Sequence, residues 1–257
     1  MTTAAIVIPF RDRGVDPLRT ANLERVLEWW KEFDAPVIVA NDGGRGNDHF
    51  NRSRAYNNGA AETDANVIVY AESDMLIDYQ QINDGIIMAA EQPGLVVPYR
   101  RQCKLSPTDS VLVRGGLKDP HDCIPMPHPY DESTNFGCIG VVSRRSLELV
   151  GGYDEKFLGH GHDDNAMWQA FNKAAGPTRW VDGPAFHLYH LDFDPVTSPD
   201  ASHITAEDRA AQERNYRRMQ QYCFAKTPEE IRHLTAGGEG LSTSWRSRWT
   251  AQRGYQP

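Results

Sequence analysis

Two adjacent carboxylates, Asp163 and Asp164, follow two glycines in the segment Gly159-His-Gly-His-Asp-Asp164. Helical spacing of apolar residues begins directly after them, so the pair is predicted to lie where a flexible loop enters a helix. A carboxylate in that position can accept the proton of a bound substrate as a general base. An aspartate at a helix start can also cap free backbone amides and complement the helix dipole, which is the alternative interpretation. Because acids, histidines and glycines are so concentrated here, the segment favours the catalytic role.

A second pair of acids, Glu72 and Asp74, follows the apolar run at residues 66–70. Alternate residues at the end of a strand share a face, so both carboxylates are expected to point into one cleft. Paired carboxylates suit a hard divalent cation that bridges the oxygens of a diphosphate. His187 and His190 stand three residues apart beside aromatic residues, and we predict that they bind a metal ion rather than only packing.

Zinc is the alternative metal that the sequence raises, through Cys103, His121, Cys123 and His128. Their spacings fit no standard zinc site, so a structural zinc ion is not expected. The four cysteines also stand at irregular spacings, which predicts no disulfide framework in a chain of 257 residues.

Positive charge near the predicted strand ends comes from Arg11, Arg13 and Arg52. Neither of the glycine-rich phosphate loops, G-x-G-x-x-G and G-x-x-x-x-G-K-[ST], occurs near these strands. The phosphates of a bound nucleotide would therefore need another counter-charge, and a metal ion together with these arginines could supply it. Asp42 lies in an Asn-Asp-Gly-Gly turn and is expected to meet the base or the ribose.

The elements that would position these residues alternate between strand and helix. Continuous apolar runs at residues 4–9, 36–40 and 66–70 predict strands that are buried on both faces, and helical patterns at 17–33 and 49–61 connect them. This order predicts an α/β fold with a Rossmann-like, mostly parallel central sheet and flanking helices. Ligands of such sheets bind at the carboxyl ends of the strands, where these arginines and acids are expected.

The rest of the chain predicts further elements around one long segment without regular structure. That segment, residues 99–134, is irregular and rich in Pro, Asp and His, which is typical of a functional or mobile loop. Strands are predicted at 94–98, 139–142 and 178–181, and helices at 79–91, before Gly151, after Asp164, at 205–224 and from Thr227. We divide the chain into a main domain at 1–200, a C-terminal helical extension at 201–236 and a flexible tail at 237–257.

Composition narrows the class of protein. Lys and Arg number 27 against 35 Asp and Glu, and the formal net charge of −8 disfavours nonspecific binding to the phosphate backbone of nucleic acids. The first ten residues lack the basic start of a signal peptide, and no apolar run approaches the roughly 20 residues that span a bilayer. A cytoplasmic enzyme without a membrane span is the prediction.

Five segments, in order and with similar gaps, resemble the β-1,4-galactosyltransferase group. They are Ile6-Val-Ile-Pro-Phe-Arg-Asp-Arg13, Phe50-Asn-Arg-Ser53, Glu72-Ser-Asp74, the stretch from Phe136-Gly to Gly151-Gly-Tyr-Asp154, and Gly159-x-Gly-x-Asp-Asp164, with a late histidine after them. The resemblance covers about residues 4–195. It implies the GT-A fold and the inverting, metal-dependent glycosyl transfer of that group. Polypeptide N-acetylgalactosaminyltransferases and bacterial family 2 enzymes resemble the chain more distantly.

The resemblance also implies a role for each matching residue. For the uridine-diphosphate sugar it implies Pro9, Phe10, Arg11, Arg13, Phe50 and Arg52, to which we add Asp42, Glu72, Ser73, Asp74 and Gly161. For the metal, which is Mn²⁺ with Mg²⁺ as the alternative, it implies Asp74 and His187, and His190 is a candidate second imidazole. For the acceptor it implies the acid pair Asp163 and Asp164, which binds the acceptor and supplies the base; of the two, we choose Asp164 as the base and Asp163 as the group that orients the acceptor.

The chain departs from the group at three places. Glu72 stands where the group has the first aspartate of its D-x-D motif, which alters how the donor sugar is held. His160 replaces a tryptophan of the mobile acceptor loop, so a stacking surface for an acceptor sugar is lost. Asp42-Gly-Gly is more similar to the nucleotide loop of the family 2 enzymes.

The predicted function is transfer of a hexose from a UDP-sugar to an acceptor hydroxyl. Galactose, glucose and an N-acetylhexosamine remain open as the sugar, and a glycan, a glycolipid, a protein or a hydroxylated DNA base as the acceptor. One alternative is a nucleotidyltransferase, which would usually carry a glycine-rich loop and a lysine after the first strand. Another is a non-catalytic sugar-binding domain, against which the retention of Asp74, Asp164 and His187 argues.

Overall fold

Nine strands and eight α-helices form the described part of the chain, which is residues 2–127, 136–193 and 202–236 of the computed structural model. The strands are β1 (Ala4–Pro9), β2 (Val37–Ala40), β3 (Val67–Ala71), β4 (Met75–Ile77), β5 (Leu95–Val97), β6 (Arg101–Lys104), β7 (Ile139–Ser143), β8 (Arg179–Trp180) and β9 (Pro184–His187). The helices are α1 (Pro17–Trp30), α2 (Arg52–Ala61), α3 (Tyr79–Glu91), α4 (Pro107–Arg114), α5 (Arg144–Val150), α6 (Asp163–Ala174), α7 (Ala206–Phe224) and α8 (Pro228–Thr235).

The central sheet has six strands in the order β2-β1-β3-β7-β5-β8. β1 runs parallel to β2 and β3, β5 runs parallel to β8, and β7 is antiparallel to both of its neighbours. All five residues of β3 are buried, as expected for a strand covered on both faces. α2 packs on β1 and β2, whereas α3 packs on β3, β5 and β7. The predicted α/β fold with a mostly parallel sheet and flanking helices is therefore confirmed.

Close packing of α2 on the sheet depends on a glycine. A Cβ atom on Gly59 would lie 2.3 Å from Cγ1 of Val7, a distance that no real side chain adopts. The absent side chain thus lets the helix approach β1, and it fixes where the first residue of α2 lies relative to the strand ends.

A second, smaller sheet was not predicted. Its order is β4-β9-β6, with β9 antiparallel to β4 and parallel to β6. The prediction of irregular structure at 99–134 was wrong for residues 101–114, because β6 and α4 lie there, whereas residues 115–127 contain no strand or α-helix. β6 reads Arg-Gln-Cys-Lys and has no apolar pattern of its own. For α4, the capping Ser106 before Pro107 was a usable start signal.

The two C-terminal helices pack against the main domain. α7 and α8 both contact α6, and α8 also contacts α5. The predicted starts of both are confirmed by capping boxes at Thr205 and Thr227. The carboxylate of the fully buried Asp154 accepts hydrogen bonds from Arg218 at 2.7 Å and from the Tyr222 hydroxyl at 2.9 Å, which ties α7 to the loop after α5.

Several predictions lie outside the described residues. They are the segment 128–135 with His128, and the tail at 237–257. The division at residue 200 stays a prediction. Among the helices that the structure describes, none has the length and hydropathy that crossing a membrane requires.

Candidate active site

The parallel strands β1, β2 and β3 end at the same edge of the sheet, as their pairing register requires. The residues that follow Pro9, Ala40 and Ala71 therefore meet there. This edge carries the arginines and acids that the sequence singled out, which agrees with the general placement of ligands in open α/β sheets.

The Arg11 side chain forms its hydrogen bonds with other groups of the protein. Its Nε donates to Oδ1 of Asp42 at 2.7 Å, and its terminal nitrogens donate to the carbonyl oxygens of Gly46 at 2.6 Å and Asp48 at 2.9 Å. Burial alone would raise the pKa of Asp42, but the hydrogen bonds from Arg11 and from the amide of Asn51 hold it below its ordinary value. Arg11 therefore shapes the loop after β2, with few donors left for a phosphate.

The other residues predicted to bind the nucleotide lie around this loop. The Phe50 ring lies under the Arg11 guanidinium, with 5.9 Å between its centroid and Cζ. Arg13 donates to the carbonyl oxygen of Asn47 at 2.9 Å. Pro9 and Ser73 are buried, and Phe10 is half-buried. These positions are compatible with a nucleotide site, and their roles stay predictions.

Asp74, His187 and His190 form one cluster. Nε2 of His190 lies 3.1 Å from Oδ2 of Asp74, and Nε2 of His187 lies 3.7 Å from Oδ1. One ligand atom from each residue lies within 4.8 Å of the other two. The small sheet creates this arrangement, because Met75 pairs with His187 across β4 and β9.

The cluster is short of hydrogen-bond donors. Asp74 is only 2% exposed, and within the described residues its Oδ1 has no hydrogen-bond partner. A buried carboxylate oxygen without a donor is unfavourable, and a bound cation would remove that cost. Burial lowers the pKa of His187 to about 4, so its imidazole is neutral at pH 7, as a metal ligand must be.

His190 has a second contact that orients it. Its Nδ1 lies 2.7 Å from the carbonyl oxygen of Leu191. When Nδ1 carries the proton and donates to this oxygen, Nε2 presents a lone pair towards Asp74. A nitrogen lone pair and a carboxylate oxygen that face each other repel. A cation between the imidazole and the carboxylate would replace this repulsion by two attractive contacts. The donor set therefore fits a divalent metal ion.

A second cluster of acids surrounds Arg52, the first residue of α2. Arg52 donates to both carboxylate oxygens of Asp163, at 2.8 and 2.6 Å, and to Oδ2 of Asp164 at 2.7 Å. It also hydrogen-bonds Glu72. Three carboxylates thus share one guanidinium, which leaves this cluster with an excess of negative charge.

The two aspartates of this cluster have different acidities. Burial would raise the pKa of Asp163, but its two hydrogen bonds to Arg52 hold the pKa below its ordinary value. Burial raises the pKa of Asp164 to about 6, aided by the charge of Asp163 and opposed by Arg52. The Asp164 side chain is 35% exposed against 8% for Asp163, so Asp164 is the acid that a substrate can reach. Such a pair suits a base and a fixed neighbour.

Neither aspartate is the N-cap of α6. His162 occupies that position with φ of 68°, a left-handed conformation that is uncommon outside glycine. Asp163 and Asp164 are the first two residues of the helix, and their carboxylates bind Arg52. Neither carboxylate is therefore the N-cap, although two acids in the first turn still complement the helix dipole, so that part of the alternative interpretation holds.

The loop before α6 is held in place by neighbours that the sequence did not reveal. The side-chain amide of Asn215 on α7 donates to the carbonyl oxygens of Leu158 at 3.0 Å and His160 at 3.2 Å. The amide of Gly159 donates to the carbonyl oxygen of Phe50 at 3.0 Å. Gly161 has φ of 95°, which a larger residue would adopt only with strain.

Two expectations about charge differ from what the structure shows. Glu72 and Asp74 were expected to point into one cleft, but Glu72 binds Arg52 and takes no part in the cluster of Asp74. The reason is that residues 72–74 form a turn between β3 and β4, where the alternation of a strand no longer applies. Arg52 was expected to meet phosphates, yet carboxylates surround it. Whether Glu72 and Arg52 contact the nucleotide sugar stays a prediction.

One cation near the metal cluster was missed. Nη1 of Arg19 lies 3.8 Å from Oδ2 of Asp74. Arg19 lies in the first turn of α1, and nothing in its sequence neighbourhood marks it as different from Arg25, the other arginine of that helix.

Comparison with known proteins supports the resemblance. Residues 122–191 match a family model described as the N-terminal domain of galactosyltransferase. The match includes the acid pair of α6 and both histidines of the metal cluster, whereas Asp74 and Arg52 lie before it. No curated protein sequence matches the chain.

Solved glycosyltransferase structures are similar to the chain. A structure of GalNAc-T7 with UDP, GalNAc and Mn²⁺ has a TM-score of 0.51 and 12% identity, covering 100% of this chain and 55% of that one. The catalytic domain of Drosophila β1,4-galactosyltransferase 7 with xylobiose has a TM-score of 0.46 and 18% identity, covering 70% and 65%. A mannosyltransferase of Pyrobaculum calidifontis with GDP-Man and Mn²⁺ has a TM-score of 0.46 and 13% identity, covering 97% and 73%.

These findings confirm the GT-A fold and the resemblance to GT-A glycosyltransferases, galactosyltransferases among them. The chain spans less than two thirds of the length of the GalNAc-T7 and Drosophila structures.

Proposed function

We propose that this chain is a metal-dependent glycosyltransferase that moves a hexose from a UDP-sugar to an acceptor hydroxyl, with inversion at the anomeric carbon. One observation carries the proposal. A buried Asp–His–His cluster short of hydrogen-bond donors and an aspartate with a raised pKa lie on either side of the turn at residues 72–74. The first arrangement suits a metal ion and the second suits a general base.

Asp74, His187 and His190 would hold the metal ion. Two imidazoles and one carboxylate favour a first-row transition ion over Mg²⁺, so Mn²⁺ is the ion we propose, with Mg²⁺ as the alternative. Mn²⁺ is also present in the GalNAc-T7 structure. When bound, such an ion supplies charge stabilisation to the departing diphosphate.

Asp164 is the proposed base. Inversion takes place in a single displacement, in which the acceptor oxygen attacks the anomeric carbon opposite to the diphosphate. The hydroxyl proton passes to the carboxylate of Asp164 as the new bond forms. Its pKa of about 6 leaves it mostly ionised at pH 7 and still basic enough to accept the proton. Asp163, held by Arg52, orients the acceptor.

For the donor sugar and the acceptor, the proposal extends only to the chemical class. Galactose, glucose and an N-acetylhexosamine are the candidate sugars, and a glycan, a glycolipid, a protein and a hydroxylated DNA base are the candidate acceptors. The net charge of −8 weighs against DNA. A cytoplasmic site of action stays a prediction.

The test is transfer from a panel of radiolabelled UDP-sugars to a panel of acceptors, with Mn²⁺ and with excess chelator. We expect transfer or slow donor hydrolysis only with the metal, and none in the Asp74→Ala variant. Release of pyrophosphate from a nucleoside triphosphate would instead identify a nucleotidyltransferase. Binding of a UDP-sugar without any turnover would identify a non-catalytic domain.

A further inference from the structure

Arg19 is a cation beside the metal cluster that has no tight partner of its own among the described residues. Its Nη1 lies 3.8 Å from Oδ2 of Asp74, beyond hydrogen-bond distance. Across residues 2–127, 136–193 and 202–236, this is the one ion pair of the Arg19 side chain, which is 35% exposed. Its donors are therefore available to a ligand at the cluster.

The other arginines at this edge are less available. Arg11 donates to Asp42 and to two backbone carbonyl oxygens, and Arg52 is surrounded by three carboxylates. A phosphate that approached Arg52 would also meet the negative charge of those acids. The counter-charge for a diphosphate must therefore come from elsewhere.

Arg13 lies at the same edge of the sheet, in the loop after β1. Its Nε is buried and has no hydrogen-bond partner among the described residues. Its Nη2, however, already donates to Asn47. Arg19 is therefore the less engaged of the two guanidiniums, and a guanidinium with unused donors can bind an anion.

We propose that Arg19 binds the diphosphate group of the donor beside the Asp74 cluster. The proposal rests on the proposed function for the identity of the donor, but the anion site itself does not depend on it. Guanidinium forks match the geometry of phosphate oxygens, which favours Arg over Lys at such a position.

Arg19 would also couple the binding of metal and donor. Without a metal ion, the nearest anion to its guanidinium is Asp74. Once a cation binds Asp74, that carboxylate is neutralised and like charges repel, so the guanidinium is free for the diphosphate. Each ligand then strengthens the binding of the other by the same factor.

Titration calorimetry with inorganic pyrophosphate tests this directly, because the probe contains neither nucleoside nor sugar. The full chain is titrated with and without Mn²⁺, alongside Arg19→Ala, Arg19→Lys and Arg25→Ala. Arg25→Ala removes the same charge from the same helix but on another face. Thermal melting of each variant controls for folding.

We expect Arg19→Ala to bind pyrophosphate about 10- to 100-fold more weakly with Mn²⁺ present, which is the contribution of one charge-assisted hydrogen bond. Arg19→Lys should recover part of the affinity, and Arg25→Ala should bind like the unmodified chain. Arg19→Ala should also lose part of the gain in affinity that Mn²⁺ gives, while the direct attraction between metal and phosphate remains.

Two results would overturn the inference. One is equal pyrophosphate affinity in Arg19→Ala and the unmodified chain, and the other is no pyrophosphate binding by the unmodified chain with Mn²⁺. If pyrophosphate binds as expected while no UDP-sugar is turned over, the anion site stands and the proposed function fails. If sugar is transferred but Arg19→Ala binds pyrophosphate normally, the proposed function stands and the inference about Arg19 fails.

Discussion

Two acidic clusters lie on either side of one turn, and they differ in how their charge is balanced. Around Arg52, three carboxylates share a cation that belongs to the chain. Around Asp74, two imidazoles and a guanidinium 3.8 Å away leave one carboxylate oxygen without a donor from the part of the chain that the structure describes. The first cluster can assemble as soon as the chain folds, whereas the second is complete only with a cation from solution. We infer that one is built to tune an acid and the other to bind an ion.

The largest expected effect comes from Asp74→Asn, which keeps the size of the side chain and removes its charge. Binding of Mn²⁺, measured by calorimetry, should be lost, and turnover should fall to background. Chemical denaturation without metal controls for folding of the variant. Full activity of the unmodified chain in excess chelator would contradict this assignment.

Asp164→Asn tests the cluster that carries its own cation. Losing the base should lower kcat by roughly 10²–10⁴, while donor affinity stays the same. The matched control is Asp182→Asn, an exposed carboxylate that pairs with Arg100, and it should retain full activity. If Asp163→Asn is inactive and Asp164→Asn is normal, the two roles are exchanged; if both variants are fully active, the base lies elsewhere.

Replacing Arg52, the cation of the first cluster, should lower the free energy of unfolding. Arg52→Gln leaves three carboxylates without a counter-charge, and loss of one partner from a buried ion pair costs about 3–5 kcal/mol. About a fifth of the Arg52 side chain is exposed, which places the expected loss at the lower end. The control is Arg54→Gln on the same helix, whose ion pair with Glu155 is more exposed and should contribute under about 1 kcal/mol. Chemical denaturation measures both, and equal stabilities would contradict the comparison.

The smallest effect expected is a shift in pH dependence. A base must be ionised to act, so kcat/KM should fall as the pH falls through about 6, the raised pKa of Asp164. In Asp163→Asn this decline should move to lower pH, because burial still raises the pKa of Asp164 but the charge of Asp163 no longer adds to it. A decline that stays at the same pH in this variant would show that another group is titrating.

The sequence predicted the parts of this fold that local pattern determines. β1 and β3 are continuous apolar runs, and the starts of α1 and α7 carry their own capping residues. β6 was missed because its pairing with β9, rather than its composition, makes it a strand.

The candidate site also has a part that the sequence predicted and a part that it could not predict. The cluster of Asp74, His187 and His190 could be expected from residue types and from the family resemblance, and the structure brings the three together. The partners of Arg52 could not be expected, since Asp163 lies 111 positions away along the chain. A sequence does not show which acid an arginine meets. Arg19 and Asn215 were missed for the same reason.

The hydrogen bonds of Asn215 have a consequence for the order in which the protein becomes active. A growing chain that has reached residue 200 already contains every side chain proposed for metal, donor and base. It still lacks the helix whose amide holds the carbonyl oxygens of Leu158 and His160. The loop before α6 is thus held by a helix that is synthesised after the side chains next to it, so a chain that stops at residue 200 would lack this support beside its proposed base.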